Sequence, residues 1–277
     1  MRKQVHLLTL ATSLGIAATL LLVRGDAGGD KEPWKTLLSK ENYQVLAKRE
    51  ADLVRELLSG KPDDAALRRA KIGSVFLAGY AKSTAPSEET QTSISTALFL
   101  AELLSKAGAL EEAKSFAATL PAGKKGVGST ADAIAWKNYL SKADVMDHFS
   151  VKSKGGDGIH PDLQSNIRLK GALNGVEEKI RSLTMKELKA DVLKKEAKEL
   201  ELMAYQCAVV GELTYYLAPA VKAGTKDPAD WRKFSLQTRD AGKDLAAAAV
   251  KVDPAGVLKF SNSLNTACSQ CHAVFRQ

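Results

Sequence analysis

The chain has 277 residues, 45% apolar, 26% charged and only 6% aromatic, with a formal net charge of +8. That balance excludes a disordered or low-complexity chain, and the length allows one or two domains at ~150 residues each. Alanine, leucine, lysine and glutamate dominate, which favours helices over a sandwich or barrel. The basic excess is scattered among glutamates, with no Lys/Arg stripe interleaved with aromatics, so a nucleic-acid-binding face is not expected. A mildly basic face suits an acidic partner or a membrane surface instead.

In chain order, Arg2 and Lys3 precede an uncharged, mostly apolar run from Leu7 to Val23, followed by Arg24, Gly25, Asp26 and Ala27. A charged start, a short apolar run and small residues at plausible cleavage positions read as an export signal over residues 1–27. The run falls just short of the ~20 residues that span a membrane comfortably. Cleavage after Gly25 or Ala27 is the expected outcome, with an uncleaved anchor as the alternative. Membrane association follows only in the second case. The folded part then lies outside the cytoplasm, in the periplasm or an equivalent exported space.

Helical period dominates from Pro33 onwards. Apolar stripes predict helices over Tyr43–Leu58, Leu67–Tyr80, Thr92–Lys106, Leu110–Leu120 and Asp132–Phe149, with breaks at Gly60, Pro62, Gly108 and Pro121–Gly128. Residues 151–161 are rich in glycine and read as a linker or exposed loop. Beyond it, helices are predicted over Asp162–Leu183, Lys186–Leu217, Trp231–Val250 and Pro254–Phe275, and Pro254 suits a first turn. The expected fold is all-α: two four-helix-bundle-like halves, one over residues 33–150 and one over residues 162–277.

One motif carries chemistry. Cys268-Ser269-Gln270-Cys271-His272 is Cys-x-x-Cys-His, the attachment signature of c-type haem. On a helix, positions i and i+3 share a face, so both thiols can reach the two vinyl groups of one porphyrin. His272 then directs its imidazole at the iron as proximal ligand. A Cys268–Cys271 disulfide in a non-haem structural or interaction protein is the alternative. A thioredoxin-like redox pair is disfavoured because that pair follows a strand, and a zinc site would need a fourth ligand from elsewhere. No general-base and nucleophile pair, phosphate loop or paired-carboxylate site appears, so an enzyme is not expected.

A Cys-x-x-Cys-His in the final helix of a helical half, followed by Phe275-Arg276, resembles the class II c-type cytochromes, the cytochrome c prime group. Class I cytochromes carry the motif near the start of the domain. Trp231 and Phe234, three apart in the preceding helix, also fit. The resemblance covers Asp162 to Gln277. It implies a four-helix bundle with one covalent haem c, held by Cys268 and Cys271 and ligated by His272, with Arg276 beside the proximal histidine. It implies electron transfer with a redox partner protein, or binding of a small gas such as nitric oxide or carbon monoxide. In the family the sixth iron position faces the first helix of the bundle. There an apolar residue leaves iron five-coordinate, whereas a methionine makes an electron carrier. Here Leu169 or Leu173 would be that lid, which points to five-coordinate iron. Met185 lies at the far end of that helix, Met203 is expected in the core, and His160 is expected to be solvated. Homodimers are common in the group, and the first half could take the dimer surface.

The first half looks like a degenerate copy. Asn138, Leu140, Ala143, Asp144, Asp147 and His148 stand 124 residues before Asn262, Leu264, Ala267, Cys268, Cys271 and His272. Without thiols, Asp144 and Asp147 form no thioethers, and His148 is expected at the surface of a helix end. Trp34 and Trp136 are expected in the core of that half, and Cys207, left over, as a buried free thiol.

Overall fold

A computed structural model describes residues 34–124, 135–150, 156, 158, 163 and 175–276. The expected export segment, the lid residues Leu169 and Leu173, His160 and most of the glycine-rich segment lie outside the described residues. Among the described residues the fold is all-helical, with no strand and no helix long and apolar enough to cross a membrane. The helices are α1 (Lys40–Leu57), α2 (Asp64–Lys82), α3 (Glu88–Leu103), α4 (Leu110–Ala117), α5 (Lys142–His148), α6 (Val176–Met185), α7 (Ala190–Tyr215), α8 (Pro228–Val250) and α9 (Pro254–Phe275). A 3-10 turn over Ala135–Asn138 precedes α5.

Local chemistry sets most starts. Ser39, Asp63 and Asp253 each accept a hydrogen bond from the backbone N–H three residues on, and Ser87 and Thr90 bond reciprocally in a capping box. Asp227 caps α8, with Pro228 in its first turn.

Two predicted helices differ among the described residues. The continuous helix expected over Asp132–Phe149 is instead the 3-10 turn and α5, separated at Tyr139–Ser141. Ser141 restarts the helix: its Oγ accepts from the Asp144 N–H at 3.2 Å, and its own N–H donates to the Asp144 carboxylate at 2.6 Å. Of the helix expected over Asp162–Leu183, the part over Val176–Leu183 lies in α6, whose N-cap Gly175 is extended, and residues 164–174 lie outside the described residues. Gly156, expected in an exposed loop, is buried, and its carbonyl accepts from Arg69 at 3.3 Å.

Residues 34–276 hold two apolar cores within one compact unit. The first gathers α1 to α5 around Phe76, Tyr80 and Leu100. The second gathers α6 to α9 around Leu193, Leu200, Leu245 and Leu264. Helix α7 serves both. Leu202, Val209, Val210 and Leu213 enter the first core, while Leu193, Leu200, Met203 and Cys207 enter the second. A helix apolar on two faces is what a shared central element requires. At 1.5 Å per residue its 26 residues run about 39 Å.

Polar ties join α1 to α7. Arg49 forms a two-pronged pair with Glu199 at 2.7 and 2.8 Å, and Asn42 donates to Glu201 at 2.7 Å. Trp34, partly buried, meets Trp136 edge-on at 4.9 Å and stacks on Tyr216 at 5.9 Å. That cluster fastens the start of the described chain and the 3-10 turn to the end of α7. In the second bundle Lys179, wholly buried, pairs with Glu196 at 2.9 Å and donates to the Leu163 carbonyl at 3.0 Å.

Helices α7 and α8 approach closely because two glycines permit it. A β-carbon at Gly211 would lie 2.5 Å from the Arg239 backbone nitrogen, and one at Gly242 would lie 2.8 Å from the Ala204 carbonyl oxygen. Together with α9, which packs antiparallel on α8, this pair builds walls of a cavity.

Candidate functional site

The motif occupies the last turns of α9, so Cys268, Cys271 and His272 all have helical backbone. The spacing of three and four then places them along one side of the helix. The structure brings these three, and Arg276, to one cavity of about 850 Å³. Sites for ligands of moderate size span ~300–1,000 Å³. Cys268 and Cys271 are both free thiols, partly exposed.

Each helix of the second bundle contributes a wall. Trp231 and Phe234 of α8, three apart, both face the cavity and are buried. Trp231 is fixed at both ends: its Nε1 donates to the Thr214 carbonyl at 2.6 Å, and its ring meets Phe275 edge-on at 4.9 Å. Ile180 comes from α6, and Val210 and Thr214 come from α7. The charged lining is Glu177, Arg181 and Arg276, with Asp147 from the first half. Arg276 is the C-cap of α9, its N–H donating to the His272 carbonyl at 3.1 Å. A cation there complements the negative helix end.

The thiols are set by burial. Burial pushes the Cys268 thiol up to about 12, and Glu177 and Cys271 nearby push the same way. Cys207 is also raised, by burial and then by Cys268. Both stay protonated at neutral pH, and a thiol is a weak nucleophile beside a thiolate.

Cys207 is the buried thiol expected from its apolar stripe, 1% exposed, but it also lines this cavity. Met203 is in the core, as its position implies, while Met185 is exposed. The lid residues Leu169 and Leu173 lie outside the described residues. Among the described residues lining the cavity, His272 is the one imidazole and there is no methionine. Nor does any cluster of three or more His, Cys, Asp or Glu among the described residues suit a bare metal ion.

The first half differs at the corresponding register. His148 is buried at 6% exposure, which corrects the expectation of a surface residue. Its ring stacks on Phe76 at 3.6 Å and its Nε2 lies 3.7 Å from Glu50. Helix α5 docks on α2, so that Phe76 covers the His148 ring. Asp144 and Asp147, expected at the register of the cysteines, both bind Arg68, at 2.6 and 2.8 Å.

The contribution of the first half to the cavity has no sequence signal. Asp147, Phe149 and Ser150, at and just beyond the end of α5, line it together with the second bundle. They are far from the motif in sequence, and no periodicity marks them.

Comparison with protein-family models, with curated proteins and with solved structures finds no match for this chain.

Proposed function

We propose that the chain is an exported c-type cytochrome of the cytochrome c prime kind, with one haem attached through Cys268 and Cys271 and ligated by His272. The observation that carries this reading is the coincidence of the Cys-x-x-Cys-His motif with a cavity of about 850 Å³ walled by Trp231, Phe234 and Leu264. A disulfide module needs no such cavity. The residues fit the group: two thiols and an imidazole lie on one helix, apolar rings border the space, and Arg181 and Arg276 supply cations suited to acidic substituents.

When bound, the haem supplies a redox-active iron that exchanges an electron or holds a small gas. The chain does the rest. Cys268 and Cys271 fix the group permanently, and helical backbone fixes the aim of His272. Trp231, pinned by Thr214, and Phe234 exclude water from the apolar side, which tunes redox potential. The cavity has no second imidazole or methionine among its described lining residues, and residues 164–174 contain neither type. That favours an open sixth position and therefore gas binding alongside electron transfer.

The test is an absorption spectrum of the full chain, exported with a haem-attachment system and recorded oxidised, reduced, and reduced under carbon monoxide. A high-spin spectrum that shifts with carbon monoxide is expected. A low-spin spectrum indifferent to the gas would keep the haem but replace gas binding with plain electron transfer. Cys271→Ser weakens covalent attachment and His272→Ala abolishes the native spectrum. Unchanged spectra in both variants would contradict the ligand assignment.

A further inference from the structure

The first bundle carries no haem motif, yet it is not a detached appendage. Phe149 is one of the residues where the two halves meet. It packs against the first core and against the second, and it lines the cavity that holds Cys268, Cys271 and His272. The backbone around it is held in place. The Ser150 N–H donates to the Asp147 carbonyl at 3.1 Å, and the Gly158 N–H donates to the Ser150 carbonyl at 3.1 Å. Asp147 is anchored in turn by Arg68 of α2 at 2.8 Å. The end of α5 therefore presents a held apolar ring, followed by a small polar residue, to the cavity that α6 to α9 also line.

We infer that the haem-less half is a built-in wall of the cavity, with Phe149 governing how fast solvent and small reagents or ligands reach Cys268, Cys271 and the space beside His272. The inference extends the haem reading and assigns the first half a role, access control, that the motif alone does not give. The wall itself exists whether or not haem is attached.

The experiment uses the full chain prepared without haem and a small maleimide at fixed pH, with alkylation of each cysteine followed by peptide mass spectrometry. Phe149→Ala opens the wall and speeds labelling of Cys268 and Cys271 several-fold. Phe99→Ala is the control. Phe99 pairs edge-on with Phe116 at 4.8 Å on the first core and does not line the cavity, so its loss loosens the first bundle without opening the wall. Faster labelling in Phe149→Ala alone supports the inference. Unchanged rates overturn it, and so does an increase that Phe99→Ala reproduces, because that reflects loosening of the bundle.

The same variant in haem-loaded chain binds carbon monoxide faster once reduced, and an unchanged rate there also counts against the wall. Failure of the haem reading shows separately: wild-type chain exported with the attachment system would remain colourless while the labelling contrast persisted.

Discussion

Asp144 shows what a single carboxylate does at the start of a short helix. It receives the Ser141 N–H and the Arg68 guanidinium. Burial pushes its pKa up, and the hydrogen bonds from Ser141 and Arg68 outweigh that, so the net shift is downward. A carboxyl held lower in the folded state than in the unfolded chain stabilises the fold fully above the ordinary carboxylate range. That contribution is lost as the pH falls through the depressed folded value. Asp144→Asn is therefore expected to lower the melting temperature at neutral pH, and the gap from wild type closes at acid pH. A gap independent of pH would show that the carboxylate's charge is not what matters. The residue scale is also where the sequence was most and least informative. Cys268, Cys271 and His272 were legible because their chemistry is tied to a fixed spacing on one helix. The burial of His148 was not, since it depends on Phe76, more than seventy residues away, and on Ser141 restarting the helix just before it.

At the scale of elements, the sites of closest approach decide the architecture. Helices α7 and α8 form the tightest pair, and Gly211 lies where α7 meets the backbone of α8 at Ser235 and Arg239. Gly211→Ala would place a methyl 2.5 Å from the Arg239 nitrogen and 2.7 Å from the Ser235 carbonyl oxygen. Both contacts are with backbone, which cannot rotate aside, so the helices must separate. A cost of about 1–3 kcal/mol is expected for overpacking of this kind, read as a lowered thermal or denaturant midpoint. An unchanged midpoint would mean that the pair has slack. Helix α9 was read from sequence to its ends, because Asp253 and Pro254 mark its start and the apolar period continues through the motif. Helix α6 was not, because Gly175, its extended N-cap, was absorbed into a longer apolar pattern.

At the scale of the whole molecule, the two halves are coupled through α7, whose opposite faces enter different cores. Unfolding one bundle exposes Val209 and Leu213 or Leu193 and Leu200, so neither half separates without cost to the other. The haem-free chain is expected to melt in a single cooperative transition, the same by circular dichroism and by calorimetry. Two resolved transitions would show that the halves are independent domains. The all-α class and the two-bundle arrangement were legible from helical period and loop placement. The sharing of one helix was not, since the apolar residues of α7 look like one broad stripe until the partners of each face are known. The cavity wall at Phe149 escaped for the same reason: it exists only once the two halves are packed.

The measurement that tests the central claim most directly is mass spectrometry of the exported chain and of its C-terminal peptide, after expression with a haem-attachment system. The account predicts one haem per chain, carried on the peptide that contains Cys268 and Cys271. A colourless chain with those two cysteines joined as a disulfide would contradict it, and two haems per chain would contradict its view of the first half.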